Sequence, residues 1–322
     1  MTARRVVLDC DTGTDDAVAI MLAALHPDLD LVAVTTVHGN AEVAVTTENT
    51  LRVLEHVGRA DVPVFPGAAG PVVPRLPGVP EPREEADRGG TAYLGLPEAT
   101  TAPQQRSAAE WLLEELRATT QPLTLVATGP LTNLATVLAV DPRLTEAVQE
   151  LVVLGGAHAV GNVTPSADRN LWSDAVAADR VLRAGFRRLV LVTLDATCGA
   201  ALTGADAQRL RDLGTPAGTA AADFLEERIA SAAAQPSMRV RGAAPLHDPF
   251  AVAALLEVCL LDLREVHVAV ETTGRLTYGR SVIDVDGVGG EPVNAHVALR
   301  ADGPRFLDLL CATLATAHPD SP

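Results

Sequence analysis

The sequence predicts an α/β protein built on an open, mostly parallel, doubly wound (Rossmann-like) sheet, with additional strands and helices towards the C-terminus. Apolar runs of strand length, rich in β-branched residues, alternate with runs of helical length along the 322 residues. Strands that alternate with helices favour a parallel sheet covered by helices on both faces. No internal repeat or convincing boundary divides the chain, so residues 1–322 are predicted to form a single domain.

The first strand–turn–helix unit, residues 5–25, carries a strong chemical signal. A short apolar run ends in an acidic, Gly-containing turn with four aspartates in eight residues, namely Asp9, Asp11, Asp15 and Asp16. Clustered carboxylates raise one another's pKa unless a cation intervenes. Hard divalent cations such as Ca²⁺ or Mg²⁺ take oxygen ligands of this kind. The turn therefore predicts a metal site at the C-terminal end of the first strand, rather than an acidic cap on an ordinary helix.

The next elements continue the alternation. A second buried strand is predicted over 29–37 and an amphipathic helix over 41–57, with Asn40 as its natural N-cap. Asn40 also follows a strand at the edge where open α/β sheets bind ligands. A short third strand is predicted over 62–65. Residues 66–103 are rich in Pro and Gly, and a loop of this length is usually functional or mobile.

The rest of the chain alternates in the same way and then changes to successive strands. Asp141-Pro142 ends one of the helices, because proline cannot continue it. Helices are predicted over 105–119, 131–139, 174–184, 204–233, 250–257 and 303–316, and strands over 123–127, 151–154, 188–194, 265–271, 277–284 and 293–299.

Composition excludes several classes of function. The formal net charge is −16, and all 25 basic residues are arginine. An acidic surface repels phosphate backbones, so no nucleic-acid partner is expected. The absence of lysine excludes Schiff-base chemistry and a P-loop. The four cysteines form no C-x-x-C pair, no signal peptide fits before the first strand, and no apolar run could span a membrane. We therefore expect a reduced, cytoplasmic protein without a membrane partner.

Five polar segments fall where a predicted strand ends or a predicted helix begins. In a doubly wound sheet the strand ends converge on one edge, so distant segments can build one site. Together the segments resemble signatures of the nucleoside hydrolase family, the inosine–uridine type nucleoside N-ribohydrolases, over nearly the whole chain. They are D-C-D-T-G-T-D-D-A at 9–17 (family D-x-D-x-G-x-D-D-A), T-T-V-H-G-N at 35–40 (T-T-V-x-G-N), T-G-P-L-T-N at 128–133 (T-G-x-L-T-N), G-G at 155–156 with G-N at 161–162 (G-G…G-N), and H-D-P at 247–249.

This resemblance implies Ca²⁺-dependent hydrolysis of the N-glycosidic bond of ribonucleosides, which releases ribose and a free base for nucleoside salvage. Carried over by position, it implies that Ca²⁺ is held by Asp11, Asp16, the Thr128 backbone carbonyl and Asp248. Asp11 would also be the base that deprotonates the metal-bound water, and His247 would assist the leaving base. Family members are commonly dimers or tetramers, so a homodimer or homotetramer is expected.

The resemblance also implies sugar ligands and one supporting residue. The residues expected to hold the ribose hydroxyls are Asp15, Asn40, Asn162, Asp168 and Asn170. Asp9 is expected to play a supporting part, holding the loop or the ligands around it.

The base end of the site departs from the family pattern. In the long loop, residues 89–95 lack the His and the acidic or hydroxyl residue of the family's H-G-x-[DS]-G-x-G run. Asp168 stands where the family usually has Glu, and Arg169 replaces a pocket aromatic. Tyr93 and Trp172 are the nearest aromatic candidates for contact with a base, although core packing is the expected role of each. The sequence therefore does not identify the base.

Two alternatives remain open at this point. The first is a haloacid-dehalogenase-type phosphatase, in which Asp9 would be the nucleophile. That class needs a hydroxyl residue where this chain has Gly13, and it leaves the Asp15-Asp16 pair unexplained. The second is a non-catalytic, Ca²⁺-dependent ribose-binding protein, which differs from a hydrolase in lacking turnover.

Overall fold

Strands and helices alternate from the start of the chain in the computed structural model, which describes residues 3–75, 79, 93–233, 242–257 and 259–316. The first half contains β1 (Arg4–Cys10), α1 (Thr14–Leu25), β2 (Leu29–Thr36), α2 (Val43–His56), β3 (Val64–Phe65), α3 (Ala108–Ala118), β4 (Leu123–Ala127), α4 (Thr132–Val140) and β5 (Val148–Leu154). A 3₁₀ helix, Pro142–Ala147, joins α4 to β5.

The second half begins with further helix–strand units and ends with a mixed group of strands. Its elements are α5 (Arg169–Ser173), α6 (Ala175–Leu182), β6 (Leu189–Val192), α7 (Leu194–Cys198), β7 (Leu202–Thr203), α8 (Gly204–Arg211), α9 (Pro216–Ala233), β8 (Ala243–Ala244), α10 (Pro249–Ala253), β9 (Leu261–Val270), β10 (Ser281–Asp284), β11 (Ala295–Ala301) and α11 (Gly303–Leu314). None of the helices in the described ranges is long and apolar enough to cross a membrane.

Within the described ranges, nine strands form one sheet in the order β10-β9-β11-β6-β5-β4-β1-β2-β3. The neighbours from β11 to β3 are parallel, whereas β9 is antiparallel to both β11 and β10. The order of β1 to β6 is that of the doubly wound fold, in which ligands bind at the carboxyl ends of the strands where the strand order reverses. That reversal lies between β1 and β4. The predicted fold class is confirmed, including the mixed C-terminal strands.

The central strands are buried on both faces, as a parallel sheet requires. In β1, Val6 and Leu8 pack into a hydrophobic cluster with α1 and α10, whereas Val7 faces the opposite cluster beneath α3 and α4. Side chains alternate between the faces of a strand, which explains the continuous apolar run in the sequence. The polar residues that follow these strands are thereby held at the edge of a rigid sheet.

The structure differs from the predicted elements in several places, and the short helices α5 and α7 were not predicted. Asn40 is not the cap of α2, because that helix begins at Val43 with Glu42 in the cap position. The helical stretch predicted over 204–233 is two helices, since the turn between them contains Gly214 at φ +69°. The two-residue strands β7 and β8 pair outside the main sheet and are too short to give a periodic signal.

Candidate active site

The acidic turn after β1 lies at the reversal of strand order, next to the turn after β4. The backbone N–H of Thr128 donates to the carbonyl of Asp9 at 2.8 Å, which joins the two strand ends. Glycines permit the close approach of these turns. A Cβ on Gly39 would lie 2.0 Å from Asp11 Oδ2, and one on Gly129 would lie 2.7 Å from Val37 Cγ1. Glycine is therefore required for packing at the Gly39-Asn40 and Thr128-Gly129 pairs of this corner.

Four carboxylates from two distant segments meet at this corner. Asp11, Asp15, Asp16 and Asp248 are each no more than 6% exposed. One carboxylate oxygen from each of Asp15, Asp16 and Asp248 lies within 4.8 Å of the other two. Asp248 precedes Pro249 at the start of α10 but makes no capping hydrogen bond. Its carboxylate is instead directed at those of Asp15 and Asp16.

Burial and mutual repulsion make full ionisation of this cluster costly. Burial, together with the Asp15 charge, raises the pKa of Asp16 to about 7. Burial and the neighbouring carboxylates also raise the pKa of Asp11 and Asp248 well above their usual range. Burial opposes the ionisation of Asp15 too, yet the adjacent Arg228 guanidinium holds the pKa of that carboxyl below its usual value. A bound cation would relieve the same repulsion for the other three.

The donor set fits a hard divalent cation. Asp11 Oδ2 accepts from the Asn40 backbone N–H at 2.6 Å. Its second oxygen, Oδ1, is buried and has no hydrogen-bond partner among the described residues. A buried acceptor without a partner needs an explanation, and an ion is one. With the Thr128 carbonyl nearby, every available ligand atom is an oxygen, which is the ligand type that Ca²⁺ takes.

Of the predicted sugar ligands, Asn40 contacts this cluster directly, and Asn170 contacts the backbone beside it. The Asn40 amide Nδ2 donates to the Asp11 carbonyl at 3.2 Å and to Asp16 Oδ2 at 3.3 Å. The Asn170 amide Nδ2 donates to the Thr128 carbonyl at 2.6 Å and to the Leu154 carbonyl at 3.2 Å. The structure thus brings both asparagines to the edge of the carboxylates.

Two further predicted sugar ligands, Asn162 and Asp168, lie in the loop between β5 and α5, and their side chains already accept hydrogen bonds from the backbone. Asn162 Oδ1 accepts from the Arg169 N–H at 2.8 Å. Asp168 is buried and caps α5, with Oδ1 accepting from the Leu171 N–H at 2.9 Å. Burial raises the pKa of Asp168. Both side chains lie in the segment between β5 and α5, which carries them beside Asn170.

His247 is buried next to the cluster and held by one hydrogen bond. Its Nδ1 lies 2.6 Å from Thr197 Oγ1, on the short helix α7. Burial, helped by the Arg228 charge, lowers the pKa of His247 to about 4. The imidazole is therefore neutral at pH 7. It can offer a hydrogen bond from one ring nitrogen, but it carries no second proton.

Asp9 lies behind the cluster rather than in it. Its Oδ1 accepts from Thr35 Oγ1 at 2.5 Å and from Asn133 Nδ2 at 2.7 Å. Burial raises the pKa of Asp9 to about 6. These contacts join the ends of β1, β2 and α4.

Arg228 is the charged residue of this site that the sequence reasoning missed. Its Nη1 lies 2.9 Å from Asp15 Oδ1, and its Nε donates to the Pro245 carbonyl at 2.9 Å. Arg228 stands in α9, an Ala-rich helix whose other charged residues are exposed, so nothing in the sequence marks it. Thr197, the partner of His247, was missed as well, because α7 has only five residues.

The structure defines the part of the site expected to contact the base less well than the part expected to hold the sugar. Tyr93 is 44% exposed, with the Arg52 guanidinium 4.9 Å from its ring centroid. Trp172 is buried, and the Arg75 guanidinium lies 4.1 Å from its ring. Residues 89–92, where the family pattern is lost, lie outside the described residues.

Comparison with known proteins identifies one family over almost the whole chain. A family model described as "Inosine-uridine preferring nucleoside hydrolase" matches residues 6–308. The chain is 38% identical to the pyrimidine-specific ribonucleoside hydrolase RihA of Shewanella sp. (strain MR-7), over 98% of each chain. It is also 38% identical to the protein of the same name from Salmonella paratyphi B, over 96% of this chain and 97% of that one.

Solved structures give the same result. A purine-preferring ribonucleoside hydrolase from Gardnerella vaginalis superposes with a TM-score of 0.85 at 28% identity, covering 97% of this chain and 98% of the other. The plant nucleoside hydrolase PpNRh1 superposes with a TM-score of 0.84 at 29% identity, covering 98% and 99%. The chain belongs to the inosine–uridine preferring nucleoside hydrolases, enzymes that hydrolyse the N-glycosidic bond of ribonucleosides.

Proposed function

We propose that this enzyme is a Ca²⁺-dependent hydrolase of pyrimidine ribonucleosides. The base preference is supported by the 38%-identical relatives, which are named pyrimidine-specific and match over almost their full length. The solved structure named purine-preferring is more distant, at 28% identity. The scarcity of aromatic side chains, 3% of the chain, also leaves little stacking surface for a large purine.

The metal assignment depends mainly on the unpartnered Oδ1 of Asp11 beside three carboxylates whose ligand atoms lie within 4.8 Å of one another. The residues that would hold Ca²⁺ are Asp11, Asp16, the Thr128 carbonyl and Asp248. Bound there, Ca²⁺ would lower the pKa of a water molecule and orient the 2′- and 3′-hydroxyls of the sugar.

The protein's own groups would carry the remaining steps. Asp11 would accept the proton of the attacking water at a carboxylate oxygen, which makes the water a better nucleophile. Cleavage of a ribosyl C–N bond passes through an oxocarbenium-like state, and the surrounding carboxylates would stabilise its positive charge. The residues that would bind the ribose hydroxyls are Asp15, Asn40, Asn162, Asp168 and Asn170. His247 would donate a hydrogen bond to the departing base.

The phosphatase alternative gains no support from the geometry. Its nucleophile would be Asp9, which is 3% exposed and tied behind the cluster by Thr35 and Asn133. The ribose-binding alternative predicts the same contacts without turnover.

The setting of the enzyme is also part of the proposal. All four cysteines are free, which fits the reducing conditions of the cytoplasm. One sheet draws strands from Arg4 to Ala301, which supports a single domain over 1–322. A homodimer or homotetramer remains the expected assembly.

The test is a panel of uridine, cytidine, inosine, adenosine and guanosine with release of free ribose as the readout. We expect the two pyrimidine nucleosides to react fastest, chelation to stop the reaction, and added Ca²⁺ to restore it. Asp11→Ala should lower kcat by about 10²–10⁴-fold, because the water loses its base, with an unchanged circular dichroism spectrum. Activity that survives both chelation and Asp11→Ala would contradict the mechanism, and phosphate release from phosphomonoesters would favour the phosphatase.

A further inference from the structure

Arg228 reaches from α9 into the carboxylate cluster and is fixed there at two points. Its side chain is only 19% exposed. Nε donates to the Pro245 carbonyl at 2.9 Å, three residues before Asp248, and Nη1 lies 2.9 Å from Asp15 Oδ1. The guanidinium is a rigid planar fork, so anchoring one nitrogen on the backbone fixes the direction of the others. Arg228 therefore presents a permanent positive charge to one particular carboxylate.

Asp15, the carboxylate that Arg228 contacts, could by its position bind either the metal or the sugar. One carboxylate oxygen from each of Asp15, Asp16 and Asp248 lies within 4.8 Å of the other two, so Asp15 is within reach of a cation held by the other two. The family resemblance instead gives Asp15 to the sugar and Asp11 to the metal. Distance alone does not decide between these roles. The ion pair favours the sugar role, because a carboxylate whose charge is shared with a guanidinium is a weaker ligand for a second cation.

We infer that Arg228 is a positioning residue that keeps Asp15 out of the Ca²⁺ shell and reserves it for the ribose hydroxyls. This inference rests on the proposed Ca²⁺ site. Pairing with Arg228 engages Oδ1 of Asp15 and leaves Oδ2 as an acceptor for a sugar hydroxyl. Without Arg228, the nearest positive charge for the buried Asp15 is the metal ion, and the carboxylate turns towards it.

The inference makes opposite predictions for the metal and for the substrate. In Arg228→Met, Ca²⁺ gains a ligand and a negative charge at close range, so it should bind about tenfold or more tightly. The sugar loses an acceptor, so the KM for uridine and cytidine should rise about tenfold, with a smaller change in kcat. A purely structural role for Arg228 would not tighten Ca²⁺ binding.

The measurements are calorimetric titration of the chelator-treated protein with Ca²⁺, and steady-state kinetics on uridine and cytidine. Arg228→Lys keeps the charge but loses the fork that is anchored on Pro245, so both quantities should fall between those of the unaltered protein and those of Arg228→Met. Arg211→Met is the matched control. Like Arg228, Arg211 forms ion pairs, but its partners are Asp223 and Glu226 of α9, and it makes no contact with the site. Its loss should change neither Ca²⁺ binding nor KM.

A double variant separates the two ways in which Arg228 could affect the metal. If the tightening runs through Asp15, it should disappear in Asp15→Asn/Arg228→Met. Tightening that persists in the double variant would mean simple loss of a nearby positive charge and would overturn the inference. So would unchanged or weaker Ca²⁺ binding in Arg228→Met. If the unaltered protein binds no Ca²⁺, the metal assignment itself fails and this inference fails with it.

Discussion

His247 shows how burial changes what a single residue can do. From the sequence, a histidine near neutral pH suggests a proton donor for the leaving base. In the structure, burial and Arg228 lower the pKa of His247 to about 4, so the ring is neutral under ordinary conditions. In the proposed mechanism its contribution would then be a hydrogen bond to the base, with the ring oriented by the contact between Nδ1 and Thr197.

This leads to a prediction for the leaving group. His247→Ala should lower kcat for uridine by about 10²-fold, because the departing base loses its hydrogen bond. The rate on 4-nitrophenyl riboside should change by less than about threefold, since that leaving group is stable as an anion. Ribose release and nitrophenolate absorbance measure the two rates.

Thr197→Val serves as a milder variant, because it removes only the partner of Nδ1. We expect the same selective pattern with a smaller loss. Equal losses on both substrates would instead mean that His247 supports the structure of the site and does not contact the leaving group.

At the same scale, the sequence was informative where functional residues are neighbours in the chain. The clustering of Asp11 and Asp16 could be predicted, because neighbouring carboxylates in one turn have a direct electrostatic consequence. Arg228 could not, because its role depends on a helix more than 200 residues away folding against the same corner. A lone arginine on an Ala-rich helix has no local signature.

At the scale of elements, Asn133 joins the pieces that hold the acidic turn. It stands in the T-G-P-L-T-N segment, in the first turn of α4, and is 1% exposed. Its Nδ2 donates to Asp9 Oδ1 at 2.7 Å and to the Thr36 carbonyl at 2.9 Å, and its Oδ1 accepts from the Ala68 N–H at 2.9 Å. One amide thus links β1, β2 and the loop after β3.

Asn133→Ala should therefore lower the free energy of unfolding by about 2–4 kcal/mol, because it leaves buried partners without hydrogen bonds. Urea denaturation measures the change. Thr136→Ala, an exposed position on the same helix, should alter stability by less than about 0.5 kcal/mol. Alanine is the better helix former at both positions, so helix propensity cannot cause a loss, and a loss of similar size in both variants would contradict the special role of the buried amide.

The elements themselves were predictable where turns mark both of their ends. The five residues of β4 were predicted to the residue, because a buried strand between turns has a clear pattern. Asn40 was expected to cap α2 and instead donates to Asp11 and Asp16. A residue with good capping chemistry can serve either role, and only the tertiary contact decides.

At the scale of the whole molecule, strand order determines which distant residues meet. The alternating pattern predicted a doubly wound sheet but could not place β4 beside β1. That neighbour relation brings Thr128 to Asp16, where Oγ1 donates at 2.8 Å. The site is complete only because the reversal of strand order falls between these two strands.

At the amino ends of the strands, opposite the site, a separate network of ion pairs links β1 to β5. Glu150, on β5, pairs with Arg4 of β1 at 2.9 Å and with Arg188 at 2.6 Å. The first pair spans β4, so it ties strands that are not neighbours. Because the carboxylate is largely buried while Arg188 is 43% exposed, solvent screens part of the interaction.

Glu150→Gln should consequently lower the free energy of unfolding by about 1 kcal/mol, because two arginines lose their shared anion. The kcat/KM for uridine should stay within about twofold, since the network and the site lie at opposite ends of the strands. Urea denaturation and ribose release give the two values. Glu114→Gln, which removes an exposed ion pair with Arg106, is the matched control and should change neither. A parallel fall in kcat/KM would show that the sheet transmits strain between the two ends of its strands, and would contradict the independence of this network from the active site.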